Sequence, residues 1–211
     1  MRHILKSPSP LFFEDWKHSF KNSEGKEPVY KDLRGQEYHK LKSHIIEEQY
    51  GLCCYCCKEI EDYNSHIEHF KPQHQDINNL LVLDYNNLLV SCNGFKDKRE
   101  NCGHKKDNWY NGYYTVSPLD ENCESMFTYT VDGRIRANHS DTRAQDTIDY
   151  LELDLNILQR ARRTAIFISG LFDDDFDEVK REELIKFFST PQDGRLNGFC
   201  VAILYCLSSL Q

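Results

Sequence analysis

Four cysteines occupy five consecutive positions in the stretch GLCCYCCKEI, residues 51–60: Cys53, Cys54, Cys56 and Cys57. Thiolates at C-x-x-C spacing hold zinc or carry out redox chemistry, and two overlapping pairs can be drawn here, Cys53/Cys56 and Cys54/Cys57. Spacing alone does not choose between them. A tetrahedral zinc site takes a second pair of ligands from a separate turn. The other cysteines are Cys92, Cys102, Cys123, Cys200 and Cys206. Cys200 and Cys206 lie in an apolar C-terminal stretch, where a thiol reads as a small buried hydrophobe, and Cys123 stands isolated between Asn122 and Glu124. Cys92 and Cys102 flank a basic loop, and Cys102 opens the run Cys-Gly-His, which suits a metal knuckle. They are the expected second pair, with reduced and metal-free cysteines as the plain alternative.

Between the two pairs lies HIEHFKP, His66 to Pro72. Hydrolysis of a phosphodiester needs a base to activate water, a cation on the scissile phosphate and stabilisation of the leaving oxygen. His69 is the natural base, since an unperturbed imidazole titrates near ~6.5. Glu68 is its neighbour. Adjacent residues of an extended strand point to opposite faces, so Glu68 and His69 serve one site only at a twisted strand end. A hydrogen-bonded strand histidine is the alternative for His69. His66 shares an H-x-x-H spacing with it and reads as support or a substrate contact, and His74 as a loop residue.

The chain must position these groups with few elements. A short amphipathic helix follows Pro10, and a clearer one runs from about Gln36 to Tyr50, with Gly51 as its cap. The cysteine cluster therefore sits on a turn past a helix end. SHIEHF is extended and stops at Pro72. NNLLVLDYNNLLVSC reads as Leu/Val strands broken by paired asparagines. Residues 93–100 form a polar, basic loop, and a helix opens between Asn101 and Trp109. Phe127, Tyr129 and Val131 alternate into an Asp132-Gly133 hairpin turn. The last seventy residues are helical: Asp141 caps one helix, a second carries Leu158, Ala161, Ala165 and Ile168, a third follows the acidic loop DDDFDE, and the apolar segment from Phe199 to Leu210 is either a closing helix or a docking one. This divides the chain into an entry segment and helix (1–50), a core (51–140) and a helical region (141–211).

Composition narrows the class. With 211 residues and 39% hydrophobic content the chain can bury one core. Nine cysteines without a secretory signal point to metal or catalysis in a cytoplasmic protein, not to a disulfide scaffold. No stretch reads as a membrane span. The net charge of −8 argues against generic binding of nucleic acid. Any such activity needs a local patch, for which Lys96, Lys98, Arg99, Lys105 and Lys106 are the candidates, or a partner that brings the substrate.

The order C-x-x-C, then Glu-His-x-x-Pro, then Asn-Leu, then two further cysteines with His and Lys beside them resembles the HNH endonuclease motif. More narrowly, C-x-Y-C, I-E-H-F-K-P, N-N-L-L-x-S-C and C-G-x-K-K resemble the PtuB-type HNH subunit of Septu and retron-linked anti-phage systems, and the likeness extends to the MRxIxK start, the SPLD…C region and the helical tail. The resemblance implies an α+β fold: a small zinc-braced ββα-metal core between an N-terminal helix and a helical C-terminal region. It selects Cys53 and Cys56 over Cys54 and Cys57, with Cys92 and Cys102 completing a structural Zn²⁺ site. It makes His69 the base, Glu68 and His104 ligands of a catalytic Mg²⁺ or Mn²⁺, and Asn87 the residue that holds the loop and sets the tautomer of His69. Two departures from the pattern stand out: Gly103 occupies the position where the family carries its metal ligand directly after the last cysteine, and Cys92 and Cys102 are farther apart than usual. The implied function is phosphodiester hydrolysis, with DNA favoured and RNA open, as the toxic effector of an anti-phage system. The implied partners are a PtuA-like ATPase subunit, within a retron reverse transcriptase and non-coding RNA complex, with docking surfaces in the DDDFDE loop or the C-terminal helix. A non-catalytic zinc-knuckle adaptor is the alternative.

Overall fold

The computed structural model describes residues 1–76, 80–95 and 100–209. Its described elements make an α+β fold of seven α-helices and two small two-stranded sheets. Helix α1 (Leu11–Glu24) ends on Gly25 in the left-handed region, and α2 (Gly35–Glu48) follows. Strand β1 (Ser65–His69) pairs antiparallel with β2 (Leu88–Cys92), placing Ser65 opposite Cys92 and His69 opposite Leu88. A five-residue helix, α3 (Cys102–Lys106), packs on β2. Strands β3 (Phe127–Tyr129) and β4 (Ile135–Ala137) form the hairpin. The helices α4 (Thr142–Tyr150), α5 (Asn156–Phe167), α6 (Glu178–Ser189) and α7 (Cys200–Ser209) complete the chain.

Several ends follow from local chemistry. The Asp141 carboxylate accepts from the Ala144 amide and starts α4, and Asp177 does the same for α6 through Lys180. At the hairpin turn Gly133 has φ 86°, and a Cβ there would lie 2.0 Å from the Gln159 carbonyl oxygen on α5. The turn therefore needs glycine both for its backbone and for its packing. Arg162, 1% exposed, locks the same place by donating to the carbonyls of Gly133 and Leu153.

One expected strand does not form. The apolar run 80–84 stays irregular because the Asp76 carboxylate takes the amides of Leu80, Leu81 and Val82 that a ladder would have used. The docking alternative for the last helix is also corrected. Cys200, Val201, Ala202, Ile203, Cys206 and Leu207 of α7 are buried against α5, α6 and β3, so this is a core helix. The acidic residues of the 173–178 loop are exposed.

The segment after α2 is tied to both neighbours. Cys54 donates its amide to the Val90 carbonyl, Phe199 donates to Cys57, and Leu196 to Tyr50. Gln49, 3% exposed, acts as a substitute strand: its amide nitrogen donates to Leu52 and Val90, and its oxygen accepts from the Val90 amide. Among the described residues no helix is long and apolar enough to cross a membrane. Gln49→Ala should cost about 1–3 kcal/mol in a denaturant-unfolding measurement, because it leaves the Val90 N–H and the Leu52 carbonyl without their partner.

Candidate active site

The four-cysteine cluster comes first because it joins the chain's separate turns. Cys53 and Cys56 lie on the turn after α2, Cys92 ends β2, and Cys102 begins α3. Their sulfurs all lie within 4.8 Å of one another and all four residues are buried. The Cys56 and Cys92 sulfurs are 3.8 Å apart, close to the spacing of about 3.8 Å that tetrahedral Zn–S bonds of about 2.3 Å require. Amide donors surround the sulfurs: the Cys92 N–H points at Cys53 Sγ at 3.3 Å, and the Asn101 amide at Cys102 Sγ at 2.9 Å. Burial pushes Cys56 and Cys102 well up. It opposes ionisation of Cys53 too, but hydrogen bonds from the neighbouring thiols hold that group well below the ordinary thiol range. The donor set fits a structural zinc ion. Cys54 and Cys57 lie outside the cluster, and burial raises both, which suits protonated packing thiols.

Glu68 and His69 end β1, and a cavity of about 260 Å³ wraps around that end. It is lined by His66, Glu68, His69, Gln73, Gly103 and His104 among others, so it brings Glu68, His69 and His104 together. Asn87 is not part of its lining. A larger cavity of about 680 Å³ opens between α5, α6, α7 and the 58–64 segment, but its lining holds neither histidine nor cysteine.

The Glu68 carboxylate is 6% exposed and almost enclosed by partners. Its Oε1 lies 2.7 Å from the Lys106 ammonium and accepts from the Tyr55 hydroxyl at 3.2 Å. Its Oε2 lies 3.5 Å from His66 Nε2. Burial favours the protonated acid, but His66 and Lys106 outweigh it and hold the carboxyl below its ordinary value. Lys106 also donates to the His69 carbonyl at 3.0 Å. It is 2% exposed, so its assignment to a nucleic-acid surface is corrected: this lysine is a strut inside the site. Lys105 is half-exposed and pairs with Glu152. Lys96, Lys98 and Arg99 lie outside the described residues.

His69 Nε2 is 2.9 Å from the Val82 carbonyl, which can only accept, so Nε2 carries the proton and Nδ1 the lone pair. The Gln73 amide faces Nδ1 at 3.4 Å. Tyr30 packs edge-on against the ring at 4.4 Å. Desolvation lowers the His69 pKa, and the Val82 contact opposes it only in part, so the ring is neutral at neutral pH. The expectation that Asn87 sets this tautomer is therefore corrected. Its side chain instead brackets the loop, accepting from the Lys71 amide and donating to the carbonyls of Lys71 and Leu81. The true tautomer-setting group is a backbone carbonyl, which carries no sequence signal. Tyr30 and Gln73 likewise carry no sequence signal as site members, Lys106 is legible only as a member of the basic patch, and Tyr55 is marked by the C-x-Y-C pattern alone.

The rings of His104 and His66 pack against each other at a tilt of 33°, with centroids 4.1 Å apart, and both face one oxygen: Asn93 Oδ1 is 2.8 Å from His66 Nδ1 and 3.1 Å from His104 Nε2. This arrangement offers a carboxylate and imidazoles beside a neutral base, a set suited to a hard divalent cation with retained water.

No protein-family model matches the chain. The chain is similar to the "Retron Vc95 putative HNH endonuclease" of Vibrio cholerae serotype O1 biovar El Tor, 28% identical over 152 residues that cover 67% of this chain and 73% of that protein. It is also similar to the "Retron Ec83 putative HNH endonuclease" of Escherichia coli, 25% identical over 210 residues that cover 79% and 80%. These distant likenesses support an HNH endonuclease family.

Two outcomes are expected from this geometry. Cys53→Ser or Cys56→Ser should reduce bound zinc, measured by metal analysis of the purified chain, and lower its melting temperature, whereas Cys54→Ser and Cys57→Ser should keep about one zinc per chain. Lys106→Met should destabilise the chain by roughly 3 kcal/mol in buffer without added divalent ions, because it strands a buried carboxylate. Adding Glu68→Gln to Lys106→Met should recover most of that loss, and a double variant no more stable than Lys106→Met would sink the electrostatic account.

Proposed function

We propose that this chain is a metal-dependent HNH endonuclease that hydrolyses phosphodiester bonds in nucleic acid. The observation that carries this reading is a neutral, tautomer-fixed His69 beside an ionised, buried Glu68 in one cavity. A divalent cation, when bound, supplies positive charge to the scissile phosphate and to the leaving oxygen. The residues that would hold it are Glu68 and an imidazole partner, which the family pattern makes His104.

The chain's own groups do the rest. His69 Nδ1 takes a proton from the attacking water, while the Val82 carbonyl keeps Nε2–H in place and favours the imidazolium that forms. Lys106 ties the Glu68 side chain to the His69 backbone, so base and carboxylate keep one relative position. Zinc, when bound by Cys53, Cys56, Cys92 and Cys102, would hold the turn that carries Tyr55 against β2 and α3.

The reading extends to biological role. The two relatives are named for retrons, and that supports a retron association; the role of toxic effector of an anti-phage system and a PtuA-like ATPase partner rest on the motif resemblance alone. The net charge of −8 supports the need for such a partner, because phosphate neutralisation needs surplus Lys and Arg. DNA is the favoured substrate.

The test is cleavage of plasmid DNA and of cellular RNA by the chain, alone and with the protein encoded beside it, in Mg²⁺. His69→Ala should lower the cleavage rate by about 10²–10⁴-fold, the range expected for loss of a general base. Equal rates for the variant and the native chain would overturn the assignment. Phage protection that survives His69→Ala but fails with Cys53→Ser would favour the zinc-knuckle adaptor.

A further inference from the structure

His66 and Glu68 are two residues apart on β1, so they project from the same face of the strand. Helix α3 covers that face through Gly103. A Cβ at residue 103 would lie 2.4 Å from Glu68 Oε2 and 2.8 Å from His66 Nε2. The family pattern carries a metal-binding side chain at this position. Here it is a hydrogen atom, and the imidazole of His66 fills the space that the missing side chain leaves.

The protonation pattern suits a ligand. The oxygen of Asn93 lies 2.8 Å from His66 Nδ1, so Nδ1 donates there and Nε2 is the nitrogen turned toward Glu68 Oε2, where a cation would take the place of the Nε2 proton that otherwise faces the carboxylate. Ligating histidines usually donate their other ring N–H to an oxygen that fixes the ring. The two donor atoms are 3.5 Å apart, near the roughly 3 Å that separates adjacent ligands of a small divalent ion bound at about 2.1 Å. The other Glu68 oxygen is already held by Lys106 and Tyr55. His104 stands behind this pair: its ring packs at a tilt against that of His66, and its Nε2 faces the same Asn93 oxygen.

We propose that Glu68 and His66 are the protein ligands of the divalent cation, and that His104 and Asn93 are positioning residues for His66. Two protein ligands leave the other sites of an octahedral ion to water and phosphate oxygen, as such ions usually require. Glycine at 103 is the condition for this pairing, because any side chain there would collide with Glu68 Oε2 and His66 Nε2. The assignment rests on the nuclease reading.

The experiment is Mn²⁺ binding to the zinc-loaded full chain, followed by electron paramagnetic resonance, with zinc content as the control for folding. His66→Ala and His66→Gln should each raise the Mn²⁺ Kd by about tenfold or more. His104→Ala should have a smaller effect. The echo modulation from a directly bound imidazole nitrogen should persist in His104→Ala and vanish in His66→Ala. Loss of that modulation in His104→Ala with retention in His66→Ala would overturn the assignment. Glu68→Gln separates the two levels of the argument. If it weakens Mn²⁺ binding while both His66 variants do not, only the ligand assignment falls. If the native chain binds no Mn²⁺ beyond its zinc, or Glu68→Gln changes nothing, the nuclease reading falls with it.

Discussion

A carboxylate taken out of water must find its compensation inside the protein, and the site is arranged around that requirement for Glu68. The group is almost fully buried yet held ionised. Each compensating group arrives from a different part of the chain: Tyr55 from the cysteine turn, His66 from the same strand, Lys106 from α3. An uncompensated charge in this position would neutralise or drive the region open. The turn, the strand and the short helix therefore have to assemble together for any of them to be stable there. That coupling makes the position of Glu68 a property of the whole core, and not of its strand alone.

Zinc geometry and the carboxylate's requirement act on the same three elements. The four sulfurs belong to the cysteine turn, the end of β2 and the first residue of α3. Closing them on one ion fixes Tyr55 and Lys106 within reach of Glu68. A five-residue helix has little stability of its own, so α3 depends on this anchoring and on the bond from the Cys102 amide to the Leu151 carbonyl. The C-terminal helical region reaches the same core through Phe199 and Leu196. It supports the brace from behind.

Much of this arrangement could be read from residue types and order, and the exceptions have physical causes. Helix α2, strand β1, the Asp132-Gly133 hairpin and the Asp141 cap follow from periodicity and local hydrogen bonding, which short sequence windows contain. The choice of Cys53 and Cys56 over Cys54 and Cys57 did not follow from spacing, since both pairs have it; which pair faces Cys92 and Cys102 depends on how the turn hangs from Val90. The Leu/Val run at 80–83 has the composition of a strand, but Asp76, which takes its amides, lies outside that window. Lys106 looked like part of a solvated basic run. Its neighbours in sequence, Lys105 above all, are surface residues, and only the helix start places residue 106 inward. The tautomer of His69 is set by a backbone carbonyl, which any residue could supply.

The misreading of Lys106 also bears on how substrate is gathered. A run of positive charge in an acidic chain invites the conclusion that it binds phosphate. One member of this run is spent internally, neutralising Glu68, and another pairs with Glu152. Charge used inside a fold contributes little to the field outside it, because its partner cancels it at distances beyond a few ångströms. In a chain of net charge −8, Lys105 and Lys106 add little to the attraction for a polyanion, because each faces a carboxylate. The same lysine that makes the carboxylate usable thus lowers the chain's own attraction for nucleic acid. Lys105 and Lys106 thus serve the fold before they serve capture of any substrate.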